Sequence, residues 1–415
     1  MKRLLLWGVI ILLMIVALLW WRENRTYNGP VQHVKASEEQ ISRGQYLVRA
    51  ADCEACHTGP GRAPFSGGVA LDTPFGTIYG TNITPDPDAG IGRWTSDDFY
   101  SAITKGVTPS GRHLYPAMPY TSYKEITRKD ADDIYAFLMT RSAVTQPAPE
   151  NQLSFPYNQR MALIGWNMLF LNSAPIKPAS IGASEQWLRG QYLSNALGHC
   201  GECHSPRGIL GQVNQDKPMQ GGTLGRILAP DITPEGLSQR GWTPESLSQF
   251  IGYGITPQTS AFADMHTVIN LSTRYLNNDD KKAMASYLMG DHPPTATQYQ
   301  AGQGNENGRL IYLNQCAGCH SRDGEGKPHV AVAMKDNSTL RLTDANNLIV
   351  SILDGLPAQD FPNGESMQAM PGFAERLSDS DITALVNYLR VTWGGQPENV
   401  TETQVKALRQ SGENK

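Results

Sequence analysis

This 415-residue chain has no cysteine outside three five-residue stretches. It has no run of basic residues, and its formal net charge is −4, which excludes an electrostatic reader of nucleic acid. A glycine-rich dinucleotide fingerprint and any recognisable flavin motif are also missing, so no substrate-oxidising site is expected on this chain. What remains is the composition of a folded globular protein, 40% hydrophobic and 18% charged, with 40 glycines and 27 prolines that call for many loops. The length exceeds a single hydrophobic core and suits two to four domains.

The cysteines fall in Cys53-Glu54-Ala55-Cys56-His57, Cys200-Gly201-Glu202-Cys203-His204 and Cys316-Ala317-Gly318-Cys319-His320. The C-x-x-C-H spacing suits covalent haem: two thiols on one short helical turn reach the two vinyl groups of a porphyrin, and the following imidazole is carried beneath the iron. A disulfide framework fits the even cysteine count but gives no role to the histidines. Zinc needs four ligands, which three separated three-ligand units do not supply, and a thioredoxin-like pair needs no histidine. Three copies predict three covalently bound haem c groups, attached through Cys53, Cys56, Cys200, Cys203, Cys316 and Cys319, with His57, His204 and His320 as axial ligands.

Leu4 to Trp21 is an apolar run of 18 residues, which as a helix spans about 27 Å and nearly matches the hydrocarbon thickness of a bilayer. A cleaved signal peptide is the competing reading, but its apolar stretch is usually shorter and ends in small residues. Here Trp20 and Trp21 follow, a bulky pair suited to a membrane interface. A retained single-pass anchor is expected. Lys2 and Arg3 before the run are balanced by Arg22 and Arg25 after it, so charge leaves the orientation open. Attachment of haem to C-x-x-C-H takes place outside the bacterial cytoplasm, which puts the remainder of the chain in the periplasm, on the inner membrane.

The text around the motifs repeats. Arg43-Gly44-Gln45-Tyr46-Leu47 returns as Arg189-Gly190-Gln191-Tyr192-Leu193, with a looser copy from Asn307 to Tyr312. Ser37 to Gln40 reads as a capping box that opens a helix through Arg49, so each motif is expected at the end of an N-terminal helix. Thr95 and Thr243 cap further helices, and amphipathic patterns over 128–139, 278–289 and 380–389 close each unit, with Phe137, Tyr287 and Tyr388 in corresponding packing positions. The expected fold is mostly α: an anchor and spacer (1–35), domains over 36–145, 181–292 and 305–393, linkers over 146–180 and 293–304, and a polar tail (394–415). Within the first linker, Met161 to Leu171 forms an apolar patch suited to a domain surface or a partner.

The far side of each iron calls for a second ligand, and one methionine per repeat lies at a matching distance. His57 to Met118 is 61 residues, His204 to Met265 is again 61, and His320 to Met370 is 50. Prolines at 116, 119 and 371 favour a rigid loop at two of these sites rather than helical core, where most methionines serve. His113 and Met367 are fallback candidates, and His266 stands beside Met265. A thioether raises the potential and leaves no coordination site for a substrate, so three such sites make a wire. Arg62, Arg112 and Arg207 are candidates for charges near the haem propionates, with a solvated surface role as the alternative for each.

These residues, with Phe75 to Tyr79, Thr81 to Pro85, Leu114 to Tyr123, Phe155 to Phe170, Leu197 to Arg207 and Trp393-Gly394, resemble the three-haem membrane-bound cytochrome c subunit of bacterial alcohol, gluconate, sorbitol and aldehyde dehydrogenase complexes. The resemblance implies three tandem class I cytochrome c domains that carry electrons and are not themselves an enzyme. It further implies a separate catalytic dehydrogenase subunit with flavin, pyrroloquinoline quinone or molybdenum cofactor as donor, and ubiquinone or the respiratory chain as acceptor. Members commonly carry a cleaved signal peptide, whereas this N-terminus reads as a retained span. Two competitors share the motifs: a multihaem peroxidase or reductase with one open iron, and a haem-bearing subunit of a terminal oxidase.

Overall fold

In the computed structural model the described residues are 2–171 and 183–413. Residues 172–182, which hold the end of the expected 146–180 linker and the first two residues of the expected 181–292 domain, lie outside them. The apolar run forms α1 (Lys2–Asn24), with mean hydropathy 2.7 and its apolar side chains exposed, long and apolar enough to cross a membrane. The chain divides into two compact units, Met1–Pro178 with Tyr192–His199, and Ala179–Gln191 with Cys200–Lys415.

In the first unit α2 (Glu38–Ala50) starts where expected, its Ser37 cap accepting from Gln40 N at 3.1 Å. The motif helix α3 (Cys53–His57) follows after two residues. A hairpin of 70–73 with 76–79 takes a third short strand from Gln152–Leu153. Then come α4 (Ser96–Lys105), opened by a Thr95–Asp98 capping box, the short α5 (Tyr120–Tyr123), α6 (Arg128–Leu138) and α7 (Ala162–Phe170). Helices α2 and α6 cross at Gly44, where a Cβ would overlap the Asp133 carbonyl oxygen and crowd Phe137. Arg43 closes the crossing by pairing with Asp130 and Asp133.

The second unit holds the other two repeats. The first comprises α8 (Glu185–Gln191), α9 (Gly201–His204), α10 (Pro234–Gln239), α11 (Pro244–Tyr253), α12 (Ala263–Leu271) and α13 (Asn278–Met289). The next comprises α14 (Glu306–Gln315), α15 (Ala317–His320), α16 (Asn346–Asp354), α17 (Asp379–Gly394) and α18 (Glu402–Glu413). The crossing recurs: Gly190 meets Ala283 O beside Tyr287, Gly308 meets Ala384 O beside Tyr388, and Arg189 forms a two-pronged bond to Asp280 at 2.8 and 2.7 Å. The aromatics at 137, 287 and 388 therefore pack against the glycine faces of the first helices.

The repeat at Cys200 departs from the one at Cys53 for a countable reason. Tyr46 precedes Cys53 by seven residues, but Tyr192 precedes Cys200 by eight. The added residue is absorbed by a π-helical turn over Tyr192–Leu197. This turn belongs to the first unit, where Tyr192 donates its hydroxyl to Asp130 at 2.6 Å and the His199 ring meets Tyr123 edge-on at 5.5 Å.

The segments read as a linker (293–304) and a polar tail (394–415) are both built in. The 293–304 stretch has no regular structure, yet Thr297 N donates to Ser238 O at 2.8 Å and Gly302 N to Val391 O at 3.1 Å. The tail is not a separate polar stretch: α17 runs on through Gly394, and Val400 and Val405 enter the core around α16 and α17. Arg409 binds Asp379 at 2.8 Å and the Leu377 carbonyl at 2.9 Å. A pattern of only two buried valines amid polar residues hides this docking from a reading of hydrophobicity.

Candidate haem sites

Each motif forms a single turn that puts its two cysteines and its histidine together, as α3, as Cys200 with α9, and as Cys316 with α15. The imidazoles are held alike. Nδ1 of His57 donates to Thr81 O at 2.6 Å, Nδ1 of His204 to Pro230 O at 2.6 Å, and Nδ1 of His320 to Val332 O at 2.9 Å. A carbonyl only accepts, so each Nδ1 carries the proton and each Nε2 keeps its lone pair for a metal. Burial lowers the pKa of all three imidazoles despite these carbonyl bonds, which keeps the rings neutral.

The thiols fit thioether attachment better than metal or redox chemistry. None of the six is in a disulfide. Burial, with Asp52 and Cys56 nearby, pushes Cys53 up to about 12, and burial beside Cys319 does the same to Cys316. A thioredoxin-like pair instead depresses its thiol pKa toward the thiolate. Among the described residues no group of three or more His, Cys, Asp or Glu side chains is arranged to hold a metal ion. Glycine also lets backbone press on two motifs: a Cβ on Gly80 would overlap Cys56 O, and one on Gly222 would overlap Cys203 O. Two thiols and one imidazole with a free Nε2 on a single turn are the donor set that haem c requires.

The methionines differ in setting. Met118 sits in a loop just before α5, with its N–H on Tyr115 O at 3.0 Å and its carbonyl accepting from Tyr120 N at 2.8 Å. Met370 is extended and exchanges two 2.9 Å backbone bonds with Leu356. Met265, which no proline flanks, lies inside the helix α12, two residues after Ala263 at φ 49°. The neighbouring His266 is engaged by Asn270 at 3.0 Å and by the edge of Phe361. Met367, the fallback at the third site, is in a short strand.

Sequence reasoning missed the partner of His113. That ring gives its Nδ1 proton to Glu23 Oε1 at 2.6 Å while its backbone N–H binds Glu23 Oε2 at 2.8 Å, both side chains being buried. Glu23 follows the apolar run by two residues, and that placement of a lone carboxylate was the available signal. Two of the arginine candidates are occupied by the protein: Arg62 binds the carbonyls of Ser66, Gln146 and Pro147, and Arg207 binds Glu202 and Gly211 O.

Comparison with known proteins finds cytochromes c. The cytochrome c family model matches residues 305–393, and the model for cytochrome c oxidase, cbb3-type, subunit III matches residues 39–138. One subunit of the nicotinate dehydrogenase of Pseudomonas putida is 36% identical over 91% of this chain, although the chain spans only 32% of that longer protein. The cytochrome c subunit of the quinone alcohol dehydrogenase of Gluconobacter oxydans is 34% identical over 92% of this chain and 85% of its own length. The gluconate 2-dehydrogenase cytochrome c subunit of Pantoea cypripedii is 34% identical over 90% of both chains. The oxidase-type match is confined to one repeat, whereas the dehydrogenase cytochromes of Gluconobacter and Pantoea align nearly end to end. The chain therefore belongs to the family of cytochrome c subunits of dehydrogenase complexes, electron-transfer proteins with covalently bound haem c.

Proposed function

We propose that this chain carries three haems c in three cytochrome c domains, over 36–145, 181–292 and 305–393, and relays electrons from a catalytic dehydrogenase subunit to ubiquinone in the membrane. Helix α1 is the single-pass anchor in the bacterial inner membrane, and the haem domains face the periplasm. Haem c, when bound, supplies a one-electron iron couple.

The chain's part is to hold that group and tune it. Cys53 and Cys56, Cys200 and Cys203, and Cys316 and Cys319 would attach it, and His57, His204 and His320, with Met118, Met265 and Met370, would supply the ligands to its iron. The observation that carries this reading is the Nδ1-to-carbonyl bond repeated at His57, His204 and His320, which leaves Nε2 free for a metal in every repeat. A sulfur ligand at all three sites would leave no coordination position for a substrate, in keeping with relay rather than catalysis.

The test is to purify the chain with the proteins that accompany it in mild detergent. Substrate of the co-purified dehydrogenase is then added, and reduction and reoxidation by a water-soluble ubiquinone are followed in the visible haem bands. Reduction by substrate followed by reoxidation on adding quinone is the expected result. No reduction by substrate, or tight stoichiometric carbon monoxide binding to the reduced protein, contradicts it and favours a peroxidase or reductase.

A further inference from the structure

Helix α7 turns an uncharged apolar face outward. Leu163, Trp166, Asn167 and Phe170 point inward or are partly covered, with Asn167 accepting from the buried Tyr120 hydroxyl at 2.7 Å and Trp166 meeting the Tyr120 ring edge-on. On the other side Met168 is 77% exposed and Leu169 68%, and Phe155 just ahead of the helix is 79% exposed. From Met161 to Leu171 there is no charged residue. An apolar helical surface of this kind ordinarily faces lipid or a partner.

Its connections decide between the two. Arg160, two residues before α7, donates to the His113 carbonyl at 2.8 Å and lies over the Tyr115 ring at 4.4 Å, and Tyr115 donates to Tyr157 O at 3.0 Å. Burial, then the nearby Arg112, lowers the Arg160 pKa to about 10, so this join is well shielded from water. His113 is in turn bound twice by Glu23 of α1, and Arg22 and Arg25 bind the carbonyls of Gly111 and Ser110. Glu23 lies about 3 Å along the helix axis beyond Trp21, where the apolar run ends. The base of the anchor and the start of α7 are thus joined through one loop at the level where the span leaves the hydrocarbon.

We infer that the outer face of α7 lies in the same bilayer interface as the base of α1. The occupant is lipid, and the first domain is held to the membrane at two places. The inference rests on α1 being a retained span. Its consequence is that the loop bearing Met118, clamped between Glu23–His113 on one side and Tyr120–Asn167 on the other, is the one presented to the membrane.

The experiment uses the full haem-loaded chain in phosphatidylethanolamine–phosphatidylglycerol vesicles. A nitroxide is placed at Met168→Cys, with Leu169→Cys as a second site and Ile209→Cys, in the other unit, as a water-exposed control. Relaxation of the 168 and 169 labels by oxygen is expected to exceed relaxation by a water-soluble nickel chelate several-fold, with the reverse at 209. Vesicle-bound protein whose 168 and 169 labels behave like the control overturns the inference alone. So does protection that appears only when the dehydrogenase subunit is added, since that makes α7 a protein-docking face. Protein that does not sediment with vesicles overturns the anchor and the inference together.

Discussion

Asn347 and Leu228 exchange two hydrogen bonds, the Asn347 side-chain amide accepting from Leu228 N–H and donating to Leu228 C=O, each at 2.8 Å. A side chain of α16 thereby completes the edge of a strand 119 residues away, with Arg226–Asp354 beside it. Trp242 donates to Ser338 at 3.0 Å and Gln359 to Ala261 O at 3.1 Å, so the two repeats of the second unit are joined by buried polar bonds. That is the physical basis for one unit where two separate domains are expected.

Asn347→Ala leaves both backbone groups of Leu228 without their partner. It is expected to destabilise the protein by about 1–3 kcal/mol with haem content unchanged. A urea midpoint equal to wild type would show that this pair does not hold the repeats together.

Gly190→Ala places a methyl group against Ala283 O at the α8–α13 crossing. The helices must separate, at a cost of about 1–3 kcal/mol, seen as a lower Tm. Gly165→Ala, which meets open space within α7, serves as the contrast and should be neutral or stabilising by up to about 1 kcal/mol. Equal Tm values for the two variants would remove close approach as the reason for glycine at 190.

Met118→Ala is expected to lower the midpoint potential of one haem and open it to carbon monoxide, with all covalent haem retained. A potentiometric titration checks this, and an unchanged set of potentials would remove Met118 from the site. His113→Ala should leave the ligand field intact, because its ring is committed to Glu23.

Much of this was legible in the sequence because the relevant signals are local. The C-x-x-C-H turns, the Ser37, Thr95 and Thr243 caps and the repeated Arg-Gly-Gln-Tyr-Leu text each declare themselves within a few residues. What stayed hidden depends on distant partners. Glu23 with His113, Asn347 with Leu228 and Arg409 with Asp379 are polar pairs that no periodicity announces. The π-helical turn was within reach, since the count from Tyr192 to Cys200 exceeds that from Tyr46 to Cys53 by one. Met265 inside α12 shows the converse limit: an equal 61-residue spacing does not guarantee an equal backbone.

The most direct measurement is the ratio of haem to polypeptide in the purified chain, read from the alkaline pyridine spectrum against amino-acid analysis, before and after extraction with acidified organic solvent. Three haems per chain, all retained after extraction, are predicted. A ratio below three, or haem that leaves with the solvent, would contradict the account.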